Sequence, residues 1–352
     1  MYSKLNAQER IIKERGRYLL EVILIFGGIL IFNLIPYLLL PILINKDSIY
    51  YGPIFFLLRA TGIFIAIPLF LFIINKVLGL EKQKIIINQE EINPAISHLK
   101  LYKISKNNFK YQLLYGLLIL FLVFIPLDFI FYWLIPDTIE YSVEALGESP
   151  KLNAYLSNNN YIIFLISVII IHISVSFYEE TLTRGFLAKR GNDYFQRMSA
   201  VIISSLYFGL GHFTYIFKVV SWIPLIWFIQ TFIVGIILGL FFLRKKWMFP
   251  IIFAHAFNNI ISAHTLWNYT NGYNFSDIAL YLYAPLLIIG LILVIVQFSR
   301  IKAGIMTGMK DFRSYFKNNK KIKENNKDKY VRILIDLIIT LLIFGISLII
   351  VV

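Results

Sequence analysis

The sequence predicts an all-α protein, a polytopic membrane bundle of about eight or nine transmembrane helices with its N-terminus inside. Three observations predict it. Of 352 residues, 58% are hydrophobic and only 15% charged, where a soluble domain has roughly a quarter of its residues charged. The mean hydropathy is +0.71. Apolar runs long enough to cross a bilayer, about 20 residues each, recur along the chain, and the charge of the loops between them alternates as it does in membrane proteins.

In chain order the runs are 18–44, 54–75, 111–135, 160–180, 198–216, 222–243, 247–266, 278–299 and 331–352. The first follows MYSKLNAQERIIKERGRY. It is too long for a signal-peptide core and ends in no small-residue cleavage site, so it is expected to remain as the first helix. Lys4, Arg10, Lys13, Arg15 and Arg17 against Glu9 and Glu14 put the N-terminus inside. Loop 45–53, with one Lys and one Asp, fits outside. Segment 76–110, with seven Lys and three Glu, fits inside. Segment 136–160 carries Asp137, Glu140, Glu144 and Glu148 against Lys151 and is outside; Arg184, Lys189, Arg190 and Arg197 are inside. Loop 217–221 is outside, Arg244 to Lys246 inside, 267–277 outside, and 300–330, with ten basic and three acidic residues, inside. The alternation needs all nine helices.

The same loops account for the net charge of +14. No basic stretch lies in a foldable soluble domain, which argues against a nucleic-acid partner. The absence of cysteine excludes disulfides, thiolate catalysis and cysteine zinc sites. Segment 76–110 reads as an amphipathic or short strand-like cytoplasmic excursion. Segment 317–329 reads as a basic linker close to anionic headgroups, with no need to be folded. There is no internal repeat and no matched pair of broken helices, which weakens a transporter reading.

Ionisable groups inside spans are costly and therefore informative. Arg59 is expected to snorkel outward. Asp128, after Pro126, is expected to be structural and near the outer surface. Asp336 is expected to pair with Arg332 at i+4. Gly235 and Gly239 form G-x-x-x-G, a packing face. His172 lies seven residues before Glu179, and His264 reads as structural.

The remaining groups fall on three spans. FYEETLTRGF (177–186) holds Glu179, Glu180 and Arg184. Glu180 and Arg184 are i, i+4, a helical ion pair. Glu179 is turned about 100° away and has no partner on its own helix. SSLYFGLGHF holds Phe208 and His212, with Gly209 and Gly211 allowing close approach, and FAHAFNNI holds His255 and Asn259. Singly, each could serve as interhelical hydrogen bonding. Together, a free Glu, two His and an Asn describe one polar pocket in a dry environment. Such a pocket suits amide hydrolysis, with a partly buried glutamate as base, a His on the water, and a second His and an Asn at the oxyanion. Two His and a Glu also form a plausible divalent-metal set, such as for zinc. No histidine is followed by Glu, so there is no H-E-x-x-H. G-x-S-x-G and G-x-G-D are likewise absent from the sequence.

E-E-x-x-x-R at 179–184, F-x-x-x-H at 208–212 and H-x-x-x-N at 255–259, in this order, resemble the CPBP family, the CAAX proteases and bacteriocin-processing proteins, also called the Abi family of intramembrane endopeptidases. The resemblance covers roughly 155–270, as a catalytic membrane core. It is flanked by an N-terminal membrane region (1–150, three spans and a cytoplasmic loop) and by C-terminal spans (275–352) with a basic linker at 300–330. It implies Glu179 as general base, His212 as its partner on the catalytic water, and His255 and Asn259 at the oxyanion, with Glu180, Arg184 and Phe208 in support. The family is commonly labelled metalloprotease, which implies Glu179, His212 and His255 as metal ligands if a metal is held. The metal-free glutamate mechanism fits the same residues. The implied partners are a peptide or membrane-protein substrate and the lipid bilayer, and the Ile/Lys/Asn-rich composition points to a bacterial cell membrane. The alternatives are a non-catalytic protein that keeps the fold, such as a bacteriocin immunity or scaffold component, and a transporter.

Straight spans of ordinary length would leave Glu179 and His212 at different depths. The spacing therefore predicts a helix continuing through 179–189, with the site toward the cytoplasmic side.

Overall fold

The computed structural model describes residues 6–78, 93–147, 149, 151, 152, 156 and 160–350. The described residues form helices and no strand. In chain order these are α1 (Ala7–Leu43), α2 (Tyr51–Leu78), α3 (Pro94–Lys100), α4 (Lys106–Leu134), α5 (Asp137–Gly147), α6 (Tyr161–Tyr194), α7 (Arg197–Phe213), α8 (Ile223–Lys245), α9 (Phe249–Thr270), α10 (Phe275–Val296), α11 (Phe298–Tyr315) and α12 (Asn326–Ile350).

Eight of these are long and apolar enough to cross a membrane. The ninth long helix, α9, has 22 residues but carries His255, Asn258, Asn259, His264 and Asn268, and this polarity keeps it outside that group. It packs against α4 and α6 within the bundle. Its polar side chains therefore meet protein, the arrangement expected of polar residues at membrane depth.

Local chemistry sets several helix starts. Asn6 and Glu9 form a reciprocal capping box at α1. The Asn160 side chain accepts from the backbone N–H of Ile162 and Ile163 at the start of α6. Proline stands in the first turn of α8 and of α9, where its missing N–H costs nothing. α7 packs on α8 along the small-residue face the sequence predicts. A Cβ on Gly235 would lie 2.8 Å from Ser205 Cβ, and one on Gly239 would lie 3.2 Å from Val201 Cγ1.

Buried ion pairs tie the helix ends that the charge pattern assigns to the inside. Arg190 holds Glu21 bidentately, Nε to Oε1 at 2.6 Å and Nη2 to Oε2 at 2.8 Å. Tyr194 donates to the same carboxylate. Arg15 Nε donates to Asp336 Oδ1 at 2.6 Å, and Tyr315 donates to Asp336 Oδ2. This corrects the expected Asp336–Arg332 pair. Arg332 instead donates to Glu324 Oε1 at 2.8 Å and to the Tyr315 carbonyl, because the chain before α12 folds back onto it. Segment 317–329 is thus an ordered corner and not a free linker. It contains a 3₁₀ turn at Lys320–Ile322, capped by Asn319, and a buried Glu324. Of segment 76–110, residues 76–78 end α2, Pro94–Lys100 form α3 and Lys106 opens α4, while 79–92 lies outside the described residues. The acidic segment that the charge pattern assigns to the outside contains a helix, α5, with no counterpart among the predicted spans.

Candidate active site

The site grows from a change of winding in α6. Residues Tyr161–Glu180 are α-helical, Thr181–Ala188 wind as a π-helix, and Lys189–Tyr194 return to α. The helix thus continues past 179 as the sequence predicts. The π winding was not legible there; such stretches are rare and are frequent at functional sites. Thr183 Oγ1 donates to the Glu179 carbonyl at 2.6 Å, and α3 braces the same turn from the side. Tyr102 donates to Thr181 Oγ1 at 2.7 Å, and His98 Nδ1 donates to the Gly185 carbonyl at 3.2 Å. Burial pushes the His98 imidazole down to about 4, so it docks as the neutral ring.

The two adjacent glutamates part company here. Glu180 is fully buried and accepts from Arg184 Nη1 at 3.0 Å. It also accepts from His255 Nδ1 at 2.9 Å through the same oxygen, Oε1. Glu179 is 22% exposed, and its Oε2 lies 3.6 Å from His255 Nε2. The imidazole of His255 therefore stands between both carboxylates, one on each ring nitrogen. Phe124 stacks on its face at 5.7 Å.

Phe208 organises the other side. Its ring lies under the Arg184 guanidinium at 4.4 Å, a cation–π contact. It meets His212 edge-on at 4.8 Å and His255 at 5.9 Å. His212 Nδ1 donates to the Phe208 carbonyl at 3.0 Å, which leaves Nε2 as the nitrogen with a lone pair. Glu179 acts electrostatically on His212. Asn259 is half-buried one turn along α9 from His255. Glu179, Glu180, Arg184, Phe208, His212 and His255 thus gather at one place, and Asn259 borders it on the helix that carries His255.

The electrostatic neighbours of Glu179 also include Arg59, Tyr207 and Tyr215, whereas Glu180 acts on Tyr102. Arg59 corrects a second expectation. Its guanidinium sits 4.7 Å over the Tyr178 ring, and the Tyr178 hydroxyl approaches Glu179 Oε1 at 3.5 Å. Arg59 faces the site instead of snorkelling away, because α2 packs on α6 here. Asp128 is buried between helices, accepting from Gln230 Nε2 of α8 at 2.8 Å and from Ser262 Oγ of α9 at 2.9 Å. His172 has His255 as an electrostatic neighbour, and His264 packs against Tyr161, Phe164 and Trp267.

Residues 161–261 match one family model, type II CAAX prenyl endopeptidase Rce1-like. The resemblance to CAAX proteases holds. The matched stretch contains all three motifs and runs from α6 into α9. No curated protein and no solved structure matches the chain. With eight candidate spans, it is an integral membrane protein of all-α architecture.

The imidazoles of His212 and His255 both have Nδ1 tied to an oxygen, as metal-ligating histidines do. Yet among the described residues no three His, Cys, Asp or Glu side chains converge as a ligand set. Glu179, His212 and His255 do not assemble one as they stand.

Proposed function

We propose that this chain is an intramembrane endopeptidase that hydrolyses a peptide bond of a membrane-associated peptide or protein by a glutamate-activated water. The observation that carries the reading is the placement of a partly exposed carboxylate, Glu179, 3.6 Å from His255 Nε2, while its neighbour Glu180 is sealed in an ion pair. Glu179 takes the proton of a water, and the lone pair on His212 Nε2 accepts the water's second hydrogen and orients it. The hydroxide attacks the carbonyl carbon. His255, oriented through Nδ1 by Glu180, turns Nε2 toward the oxyanion, and the Asn259 amide supplies a donor there, as oxyanion sites require. Glu179 then returns its proton to the departing amine, which completes general acid–base catalysis by one group.

Support comes from the family match over 161–261 and from the joint position of the three motifs. Arg184 and Phe208 are positioning residues; the first neutralises Glu180 and the second spaces the two histidines. The composition favours a bacterial cell membrane as the setting. The test is cleavage of membrane-associated peptides by the wild-type chain, Glu179→Ala and His212→Ala in reconstituted vesicles. Loss in both variants is expected. Persistence of cleavage in both overturns the assignment.

A further inference from the structure

One helix lies across the ends of others. α11 follows α10 after a single residue, Gln297, that breaks the winding. Near its start, the Arg300 guanidinium stands 5.8 Å from the centroid of the Tyr115 ring of α4. Lys245, at the end of α8, covers the same ring at 5.0 Å. Further along, Asp311 Oδ2 accepts from Arg244 Nη2, also at the end of α8, at 3.0 Å. It pairs too with Arg197, the first residue of α7, at 3.5 Å. At the last residue of α11, the Tyr315 carbonyl accepts from Arg332 in the first turns of α12 at 2.8 Å. These partners stand at the ends of their own helices. α11, with 18 residues and thus about 27 Å long, therefore crosses one end of the bundle instead of running along it.

Its side chains are sorted around the axis. Ile301, Phe312 and Tyr315 are half-buried or buried on the bundle side. At about 100° per residue, Phe298, Ile305, Met309 and Phe316 fall within an adjoining arc of about 40°. Lys302, Arg313 and Lys310 follow on the far flank, with Met306 among them. The five apolar side chains Phe298, Ile305, Met306, Met309 and Phe316 are each 47–64% exposed. The three cations are exposed as well. An apolar stripe beside a basic one is the build of a helix lying in a membrane interface.

Charge and position say what covers the stripe. Residues 300–324 hold eight basic side chains and two acidic ones, Asp311 and Glu324. Asp311 is taken by Arg244 and Arg197, and Glu324 by Arg332. Among the described residues, Lys302, Lys310 and Arg313 have no ion-pair partner. Lys317, Lys320, Lys321 and Lys323 extend the exposed basic run. The apolar stripe begins where the α10 span ends, and there Ile295 and Val296 are 77% and 67% exposed. The stripe is thus continuous with a surface that faces acyl chains. We propose that α11 and the corner after it form a binding surface for anionic phospholipid, with Ile305 and Met309 among the acyl chains and Lys302, Lys310 and Arg313 on the headgroup phosphates.

The test exploits the absence of cysteine from the sequence. The full chain carrying Met309→Cys takes a polarity-sensitive fluorophore at that position and is reconstituted in phosphatidylcholine bilayers. Brominated acyl chains, which quench on contact, are supplied on phosphatidylglycerol in one series and on phosphatidylcholine in the other. Half-quenching is expected at an about fivefold lower proportion of the brominated phosphatidylglycerol, the enrichment that one cation at an anionic surface brings. The preference is expected to vanish when Lys302→Gln, Lys310→Gln and Arg313→Gln are combined. It is expected to survive Lys302→Arg, Lys310→Arg and Arg313→Lys together. A label at Ser314→Cys, turned about 140° from Met309, is expected to escape quenching by either lipid. Equal half-quenching by the two lipids overturns the surface, as does a preference that persists in the triple Gln variant. A label at 309 that neither lipid quenches also overturns it, and assigns the stripe to water or to a protein partner. If the triple Gln variant fails to fold, salt decides. The preference is expected to shrink in about 1 M salt, where charges are screened within about 3 Å, and a preference unchanged by salt overturns the proposal.

Discussion

Two buried charge clusters in this molecule are built differently. In the cluster that joins α1, α6 and α12, Glu21 receives Arg190 bidentately together with Tyr194, and Asp336 receives Arg15 and Tyr315. Both carboxylates use both oxygens. In the cluster around Glu180, only Oε1 is used. Among the described residues, Oε2 of Glu180 and Nε and Nη2 of Arg184 are buried without a hydrogen-bond partner, and Glu179 beside them remains reachable from outside. Buried polar groups are normally satisfied, so exceptions call for a reason. The first cluster is complete in the folded chain and holds helices together. The second is incomplete in the folded chain, as suits a place where water and a substrate are to enter.

The comparison can be broken most sharply by exchanging single groups. Glu179→Gln is expected to lower cleavage by about 10³-fold or more, within the range that general bases contribute, while thermal unfolding in detergent stays where it is. Asp336→Ala is expected to do the reverse. It strands Arg15 as an uncompensated buried charge, at about 3–5 kcal/mol, and activity should fall only with the folded fraction. Glu180→Gln lies between these. It leaves Arg184 buried with a weakened partner and removes the acceptor that fixes His255, so both stability and activity should drop.

How far the sequence reached follows the same division. Spacing identified the Glu180–Arg184 pair and the three motif helices, because i, i+4 relations and helix order are local. Composition identified nine long helices, among them α9, whose polarity marks it as a helix facing protein. What remained hidden depended on contacts between distant segments. Arg59 looked like a snorkelling residue until α2 was placed on α6. Arg332 looked like the partner of Asp336 until the 317–329 corner brought Glu324 to it. The π winding of Thr181–Ala188 had no local signal beyond Gly185, and its support by Tyr102 and His98 comes from a segment some 80 residues earlier.

Smaller effects sharpen the picture. Gly235→Ala brings a Cβ to 2.8 Å from Ser205 Cβ and 3.0 Å from its Cα. It is expected to cost about 1–3 kcal/mol through overpacking of α7 on α8, read as a lower unfolding midpoint with the same residual activity per folded molecule. His98 gives a pH signature. Its folded pKa, about 4, lies below that of the unfolded chain, so the unfolded state binds more protons between about pH 4 and 6.5 and stability falls as pH drops through that window. In His98→Gln that part of the acid sensitivity should disappear.

The central claim is that two neighbouring glutamates divide chemistry from structure. It is tested most directly by measuring cleavage rate and unfolding midpoint side by side for Glu179→Gln and Glu180→Gln in the same vesicles. The account predicts that Glu179→Gln is inactive with an unchanged midpoint and that Glu180→Gln has a lowered midpoint. Cleavage by Glu179→Gln at the wild-type rate, or a midpoint lowered more by Glu179→Gln than by Glu180→Gln, would contradict it.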